Sequence, residues 1–428
     1  MKEKPRGRER LRGLAAALAC MLLTSGGQAV GADKDELQAR FQEGMTALKE
    51  KRLKTAIEAF NSILSVDPKL HRARLELAMA YYYALEYEAA REMAQEVLDD
   101  PATPNEVRVT VLAFLAQIEA DRKRFQQRHQ ATPYVSLGLM YDSNVNVGPS
   151  SDVIDINGSL FRGGQIEDTA GVLMAGVDHR FQPGRTFSFG ERTGSFLWLN
   201  QASLYHRDYI GSKDYNFSSL NVSTGPAWMV PLGWRAGVNL RLNQMWLGAH
   251  DLALFSSVEP RASWQLGWGE LTWDANFTWR DYRKAVDQGR RGWYLATGLS
   301  LGHFYRRSRM AVQGGVRWFD FAARDDYLAN RGWRAFLGAS AQPWRGGQAY
   351  ARASYMRLDF KGLQPAPVSA SRDDDEKRLV VGARHEFQDG WLGKWALTGE
   401  FLYTDNSSSV ALYSYDRKQV SLNLSRAF

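Results

Sequence analysis

From about residue 129 to the last residue, apolar and polar side chains alternate with a period of two, the spacing of strands with one apolar face. Trp234, Ala236, Val238, Leu240 and Leu242 fall on one face, and Arg235, Gly237, Asn239, Arg241 and Asn243 on the other. Leu271, Trp273, Ala275, Phe277 and Trp279 oppose Thr272, Asp274, Asn276, Thr278 and Arg280 in the same way. Such runs are about ten residues long, the length a tilted strand needs to cross a hydrocarbon layer. Mean hydropathy is -0.40, and there is no uninterrupted apolar run near the ~20 residues of a spanning helix. A polytopic helical membrane protein is excluded. A barrel is not, because only every second residue of its strands meets lipid.

A soluble sandwich alternates as well, so three further features decide. Aromatic residues lie towards strand ends, at Tyr134 and Tyr141, Trp234 and Trp246, Trp273 and Trp279, and Trp395 and Tyr403, where interfacial girdles belong. The chain stops on an alternating strand with Val420, Leu422, Leu424 and a terminal Phe428. That ending resembles the signal read by the barrel assembly machinery, a resemblance that makes Leu422, Leu424 and Phe428 assembly determinants. Finally, fourteen candidate strands can be counted, from one centred near Leu137 to one near Leu422. An even number puts both ends of the barrel segment on one side of the membrane. Short connections (229–233, 267–270, 305–309) are then expected on the periplasmic side, and long polar ones (142–168, 283–291, 324–331, 359–378) outside.

The first 128 residues read differently. Lys2, Lys4, Arg6, Arg8, Arg10 and Arg12 precede an uncharged apolar stretch from Gly13 to Ala32 that reads as a secretory signal peptide cut after Ala32. Much of the formal +7 charge sits in that basic head. The remainder is nearly balanced, so no nucleic-acid partner is expected. Cys20, the only cysteine, lies in this leader, which leaves the rest of the chain without disulfides or thiolate metal sites. From Asp33 to about Gln126 apolar residues recur at three and four positions, as in helices. A shift of 34 aligns Gly44 with Ala78, and Ala56 with Ala90, which is the period of tetratricopeptide repeats. About two and a half such repeats fit, with Pro68 ending the first. On the concave face of the array Arg72, Met79, Tyr82 and Tyr83 are expected to project and bind a partner, although single tyrosines there also suit plain helix packing.

The fold class that follows is a two-domain α + β chain, with an N-terminal TPR-like helical array before a C-terminal fourteen-stranded antiparallel transmembrane β-barrel. Its parts are a signal peptide (1–32), a periplasmic helical domain (33–128) and an outer-membrane barrel (129–428). The polar faces place Arg235, Arg241, Asp274, Arg280 and Glu400 in the lumen.

Chemical motifs are missing. The seven histidines are scattered, with no zinc spacing, P-loop, dinucleotide fingerprint or nucleophile elbow. No metal, no cofactor and no enzymatic activity are expected. His303 or His385 could pair with a serine only by folding together, and Asp373 to Asp375 read as a charged loop tip.

At the end of the first strand stand Tyr141, Asp142, Ser143, Asn144, Val145 and Asn146. With the leader, the short helical array and the strand count, this motif resembles the surface lipoprotein assembly modifier family, also described as type XI secretion translocons. The resemblance implies an outer-membrane translocon of a Gram-negative bacterium. Its periplasmic helices bind a client protein, either a lipoprotein or a soluble secreted protein, and the barrel passes that client to the surface. The alternative is an exopolysaccharide exporter or solute channel on a TPR scaffold. A sugar path favours aromatic residues in the lumen, whereas the best strands here direct theirs outward.

Overall fold

A computed structural model of the 428-residue chain describes residues 31–156, 159–305 and 309–428. The leader up to residue 30 lies outside the described residues. Five helices come first: α1 (Gly31–Glu50), α2 (Leu53–Val66), α3 (His71–Tyr83), α4 (Tyr87–Asp99) and α5 (Asn105–Gln126). Seventeen strands follow among the described residues: β1 (His129–Asp142), β2 (Val153–Ile156), β3 (Ser159–Arg162), β4 (Asp168–Phe181), β5 (Thr186–Phe189), β6 (Arg192–Tyr209), β7 (Phe217–Met229), β8 (Trp234–Leu247), β9 (His250–Gln265), β10 (Glu270–Tyr282), β11 (Gly292–Tyr305), β12 (Met310–Ala323), β13 (Asn330–Ala341), β14 (Gly347–Phe360), β15 (Asp373–Glu386), β16 (Trp395–Ser408) and β17 (Tyr415–Ala427). They belong to two compact units. One holds the helices with residues 181–197 and 228–233, and the other holds the rest of the strands.

In the helical unit successive helices pack on one another. Phe60, Ile63 and Leu77 are sealed from solvent together with Phe41, Ala47 and Ala56. Ala78, Ala90, Val111 and Ile118 form a second buried cluster that carries the stack through α5. Gly44 makes the approach of α1 to α2 possible, since a Cβ there would lie 2.8 Å from the Phe60 ring. The first turn of α2 has no cap of its own. Glu191, on the β5–β6 turn, supplies it: its carboxylate accepts the Thr55 N–H (3.0 Å) and hydroxyl (3.1 Å), and its carbonyl accepts the Leu53 N–H (3.1 Å). The Thr55 amide holds the Glu191 carboxyl below its ordinary range against a smaller burial effect, with the Thr55 hydroxyl, Lys54 and Arg52 helping.

In the second unit β1, β4 and β6 to β17 make fourteen spanning antiparallel strands. The sheet closes on itself, because β1 pairs with both β17 and β4, and β4 pairs with β6. The seam joins the first and last strands with Tyr134 opposite Ala427 and Asp142 opposite Gln419. Both chain ends of the barrel therefore share one end, called the terminal end below. Antiparallel partners share a face, so registers carry one face around the wall. Leu240 pairs with Val258, and both stand exposed on the exterior, Leu240 at 49%. Leu299, Val316, Leu337, Val381, Phe401 and Leu422 continue this greasy band. Tryptophans border it at both ends. Trp234 and Trp264 face each other near the terminal end, and Trp279, Trp293 (60% exposed), Trp318 and Trp333 stand near the far end. A contiguous exposed apolar belt between two aromatic rings is the surface of a barrel solvated by acyl chains. Along β10 the belt runs from Leu271 to Trp279, about 26 Å at ~3.3 Å per residue before tilt.

Three expectations need correction. Tyr134 does not join a girdle. Its hydroxyl lies against Gly176 on the interior, because β1 shares its inward face with Gly138 and Met140. Nor do connections sort cleanly by length. Long ones stand at the far end between β1 and β4 and between β14 and β15, yet β8 and β9 are joined there by a tight turn between Leu247 and His250. Asp373 to Asp375 form no loop tip. They open β15 at the far end, paired with β14 and β16.

Candidate functional site

At the far end, where β1 finishes, the six-residue motif folds into a knot. Asp142 is fully buried and accepts from every side: Arg417 through Nε (2.8 Å) and a second guanidinium N–H, the Tyr209 hydroxyl (2.8 Å), Gln419 (2.9 Å) and the Asn144 amide (3.1 Å). A carboxylate only accepts, and charge-assisted, bidentate bonds from arginine are the strongest available to it. Ser143 exchanges bonds with the backbone of Lys418 (3.0 and 2.9 Å). Asn144, also fully buried, donates to the carbonyls of Gly148 (2.9 Å) and Asp416 (3.1 Å) and accepts the Gly148 N–H (2.8 Å). Asn146 ties down Gly164 and Ile166, and Val145 packs with Met140, Ala170 and Tyr209. Tyr141 stays outside, its hydroxyl donating to Glu167 (2.7 Å). Together these bonds fasten both feet of the first long loop to the start of the last strand. The knot positions; with its lone pairs saturated, Asp142 is not free to move protons.

Across the interior the registers set Arg235, Arg241, Asp274, Arg280 and Glu400 on the face opposite Leu240, Phe277 and Phe401. Most are engaged there. Arg235 bridges to Glu270 (2.7 Å), Arg241 to Glu259 (3.1 Å) and Asp274 to Arg317, and Glu400 accepts from the Tyr350 hydroxyl (2.7 Å). Arg280 stands apart. Its guanidinium lies over Tyr294 (4.1 Å), Phe321 (4.6 Å) and Phe255 (5.5 Å), and its Nε has no hydrogen-bond partner. Trp234, Trp273, Phe277 and Trp279 point outward as expected of the best strands, but other strands turn aromatics inward. Phe255, Tyr294, Phe319, Phe321, Phe336 and Tyr350 all share the inward registers. Alternation read on two strands missed them, because the inward face of β11 to β14 mixes arginine, glycine and aromatic residues.

In the helical unit the expected partner-binding residues are differently placed. Met79 (4% exposed) and Tyr82 (7%) do not project but fill the core. Tyr82 meets Tyr83, Tyr87 and Phe114 edge-on, and its hydroxyl donates to Asp121. Tyr83 packs half-buried against the same cluster. Arg72 lays its guanidinium over Phe41 at 4.7 Å. The reason is the position of α3, third in a stack of five, so that both of its flanks are covered. Sequence reading also passed over Glu76 on that helix. Burial pushes its carboxyl up to about 7, against the opposing pull of Arg72.

At the seam Leu422 is exposed on the exterior, Leu424 is half-buried beside Leu397, and the Phe428 ring lies near the Arg426 guanidinium (5.0 Å). Of the two candidate histidines, His303 meets the Trp268 carbonyl and His385 accepts from the Trp344 indole (3.0 Å). Among the described residues no cluster of His, Cys, Asp or Glu is arranged to hold a metal ion.

No protein-family model matches the chain, and no curated protein matches it. Solved structures do. The chain is similar to a loop-deletion mutant of OmpT, an outer membrane protein of Vibrio cholerae (8% identity, TM-score 0.38, 71% of this chain and 100% of that one). It is also similar to the outer membrane protein OpdK of Pseudomonas aeruginosa (10%, 0.35, 70% and 98%) and to OpdN of the same organism (11%, 0.33, 71% and 99%).

What sequence reading could not supply were the partners. Asp142 finds Tyr209 and Arg417 across 67 and 275 positions, and no local pattern marks either.

Proposed function

We propose that this chain is an outer-membrane translocon, in which a periplasmic helical unit of TPR type receives a client protein and the barrel passes it to the cell surface. The observation that carries the reading is the joining, in one chain, of a stacked helical unit to a closed barrel with a lipid-type exterior and a charged interior. Only Gln127 and Arg128 separate α5 from β1. The close packing of Gly44, Ala56, Ala78 and Ala90, which gave the 34-residue match, supports the TPR character. The motif knot supports kinship with surface lipoprotein assembly modifiers, since each of its six residues makes a contact of its own. In this reading the chain performs no catalysis, and its partners are the client, membrane lipid and the assembly machinery that reads Leu422, Leu424 and Phe428.

Deleting Asp33 to Gln126 is expected to leave an assembled barrel that no longer exports. Co-expression with small secreted or lipidated neighbours, followed by surface protease digestion, measures this. Unchanged export would remove the receptor role. A second reading, a solute or polysaccharide channel, is favoured by the inward aromatics from Phe255 to Tyr350. Sugar-dependent block of ion current through the purified barrel would support it.

A further inference from the structure

Arg352 is an inward-facing cation on β14 with no ion pair among the described residues, in line with Gly338 and Gln313 of the neighbouring strands. Its guanidinium lies 4.0 Å from the centre of the Phe336 ring. That ring is held against the wall by the absence of a side chain at Gly315, where a Cβ would come within 2.8 Å of it. Glu259, Glu270, Asp274 and Glu400 are engaged as described, and Glu376 serves both Arg334 (3.5 Å) and Arg378 (3.3 Å). Stacking occupies the face of a guanidinium and leaves its in-plane N–H groups available, a fork matched to a carboxylate. Beside the stack opens a cavity of about 230 Å³, lined by Gln313, Phe336, Gly338, Ser340, Tyr350 and Arg352. It is smaller than the ~300 Å³ at which drug-sized sites begin. Its polar donors and apolar walls suit a carboxylate on a short carbon stem better than a bare phosphate.

We propose that this cavity is a seat for a carboxylate-bearing ligand, with Arg352 as its anchor and Phe336 holding the guanidinium flat. Arg280, stacked on Tyr294, Phe321 and Phe255, repeats the device nearer the far end. The ligand chemistry is shared by a small carboxylate solute and by the acidic side chains of a passing polypeptide. The inference stands apart from the export reading, since it is read on purified protein with no client.

The test uses the full chain in detergent and a fluorescently labelled oligo-glutamate, with oligo-lysine as the opposite charge. Oligo-glutamate is expected to bind and oligo-lysine not. Arg352→Gln should weaken binding roughly tenfold, Arg352→Lys less, and Phe336→Leu by an intermediate factor. Arg357→Gln, on the exterior beside Asp359, should leave it unchanged. Heat-modifiable gel mobility checks that each variant is a folded barrel. Displacement of the probe by free glutamate assigns the seat to solutes, and resistance to it assigns the seat to acidic segments. No binding, preference for oligo-lysine, or equal affinity in folded Arg352→Gln and Phe336→Leu would overturn the proposal.

Discussion

In the helical unit Phe60, Ile63 and Leu77 are sealed away from solvent, while in the barrel Leu240, Leu242 and Phe277 stand on the outside and arginines turn in. The same apolar side chains take opposite positions because the two units meet different solvents. Water expels Phe60 into a core. Acyl chains accept Leu240 and would not accept Arg241, which closes on Glu259 of the adjacent strand on the inner wall instead. A polar residue on the wrong side of either unit is costly, so the charged groups in each are informative: Asp142 is buried in a bidentate ion pair, and Glu76 is buried with burial outweighing the pull of Arg72.

That contrast can be broken in several places. Asp142→Ala leaves Arg417 turned into the wall without its carboxylate and should cost about 3–5 kcal/mol, seen as earlier unfolding of the heat-modifiable form and loosened first-loop proteolysis. Phe60→Ala should cost the helical unit a similar ~3–5 kcal/mol. Hydrogen exchange should rise in α1 to α3 while barrel mobility on gels stays unchanged; a barrel that unfolds with it would show the units to be one cooperative block. On the exterior, Leu240→Arg is expected to cost about 2–4 kcal/mol in refolding into lipid vesicles, because the charge faces hydrocarbon. The neighbouring inward change Asn239→Arg should cost far less, and equality of the two would mean that the faces are assigned backwards.

Smaller effects sharpen the helical side. Glu76 has a carboxyl raised to about 7 when folded, above the ordinary 4.5, so the folded state binds its proton more tightly. Its favourable contribution is complete below the unfolded value and is lost as pH rises through about 7. Glu76→Gln should remove that slope and protect α3 by on the order of 2 kcal/mol at pH 8, read by hydrogen exchange from pH 5 to 8. An unchanged slope would place the titrating group elsewhere. Glu191→Ala deletes the borrowed cap of α2 and should cost about 1 kcal/mol locally. Because that carboxyl is lowered, its contribution is present at neutral pH and fades as pH falls through the folded value. Exchange at Leu53 and Thr55 measures it.

The alternation around Trp234 to Asn243 and Leu271 to Arg280, joined to the aromatic strand ends, the terminal strand and a count of fourteen strands, was enough to read a membrane barrel. The helical span from Asp33 to about Gln126 and the close approach at Gly44 were equally legible, since both follow from spacing along the chain. The fates of Met79 and Tyr82 were not. Amphipathic spacing says that a face is apolar, and only the stacking of α2, α4 and α5 around α3 says how many of its faces are covered. The inward aromatics escaped for a related reason, because a ring laid on Gly315 or beside Gly382 depends on which strand pairs with which.

The sequence by itself determined that residues after 129 alternate and that the span 33–126 forms helices. These are local properties, written in periods of two and of three to four. Tertiary structure alone decided that Asp142 meets Arg417 at the seam, that Glu191 caps a helix far from it in the chain, and that Arg352 lies on Phe336. Each of those depends on register around a closed sheet or on a fold-back of the chain. Neither leaves a trace in the order of neighbouring residues.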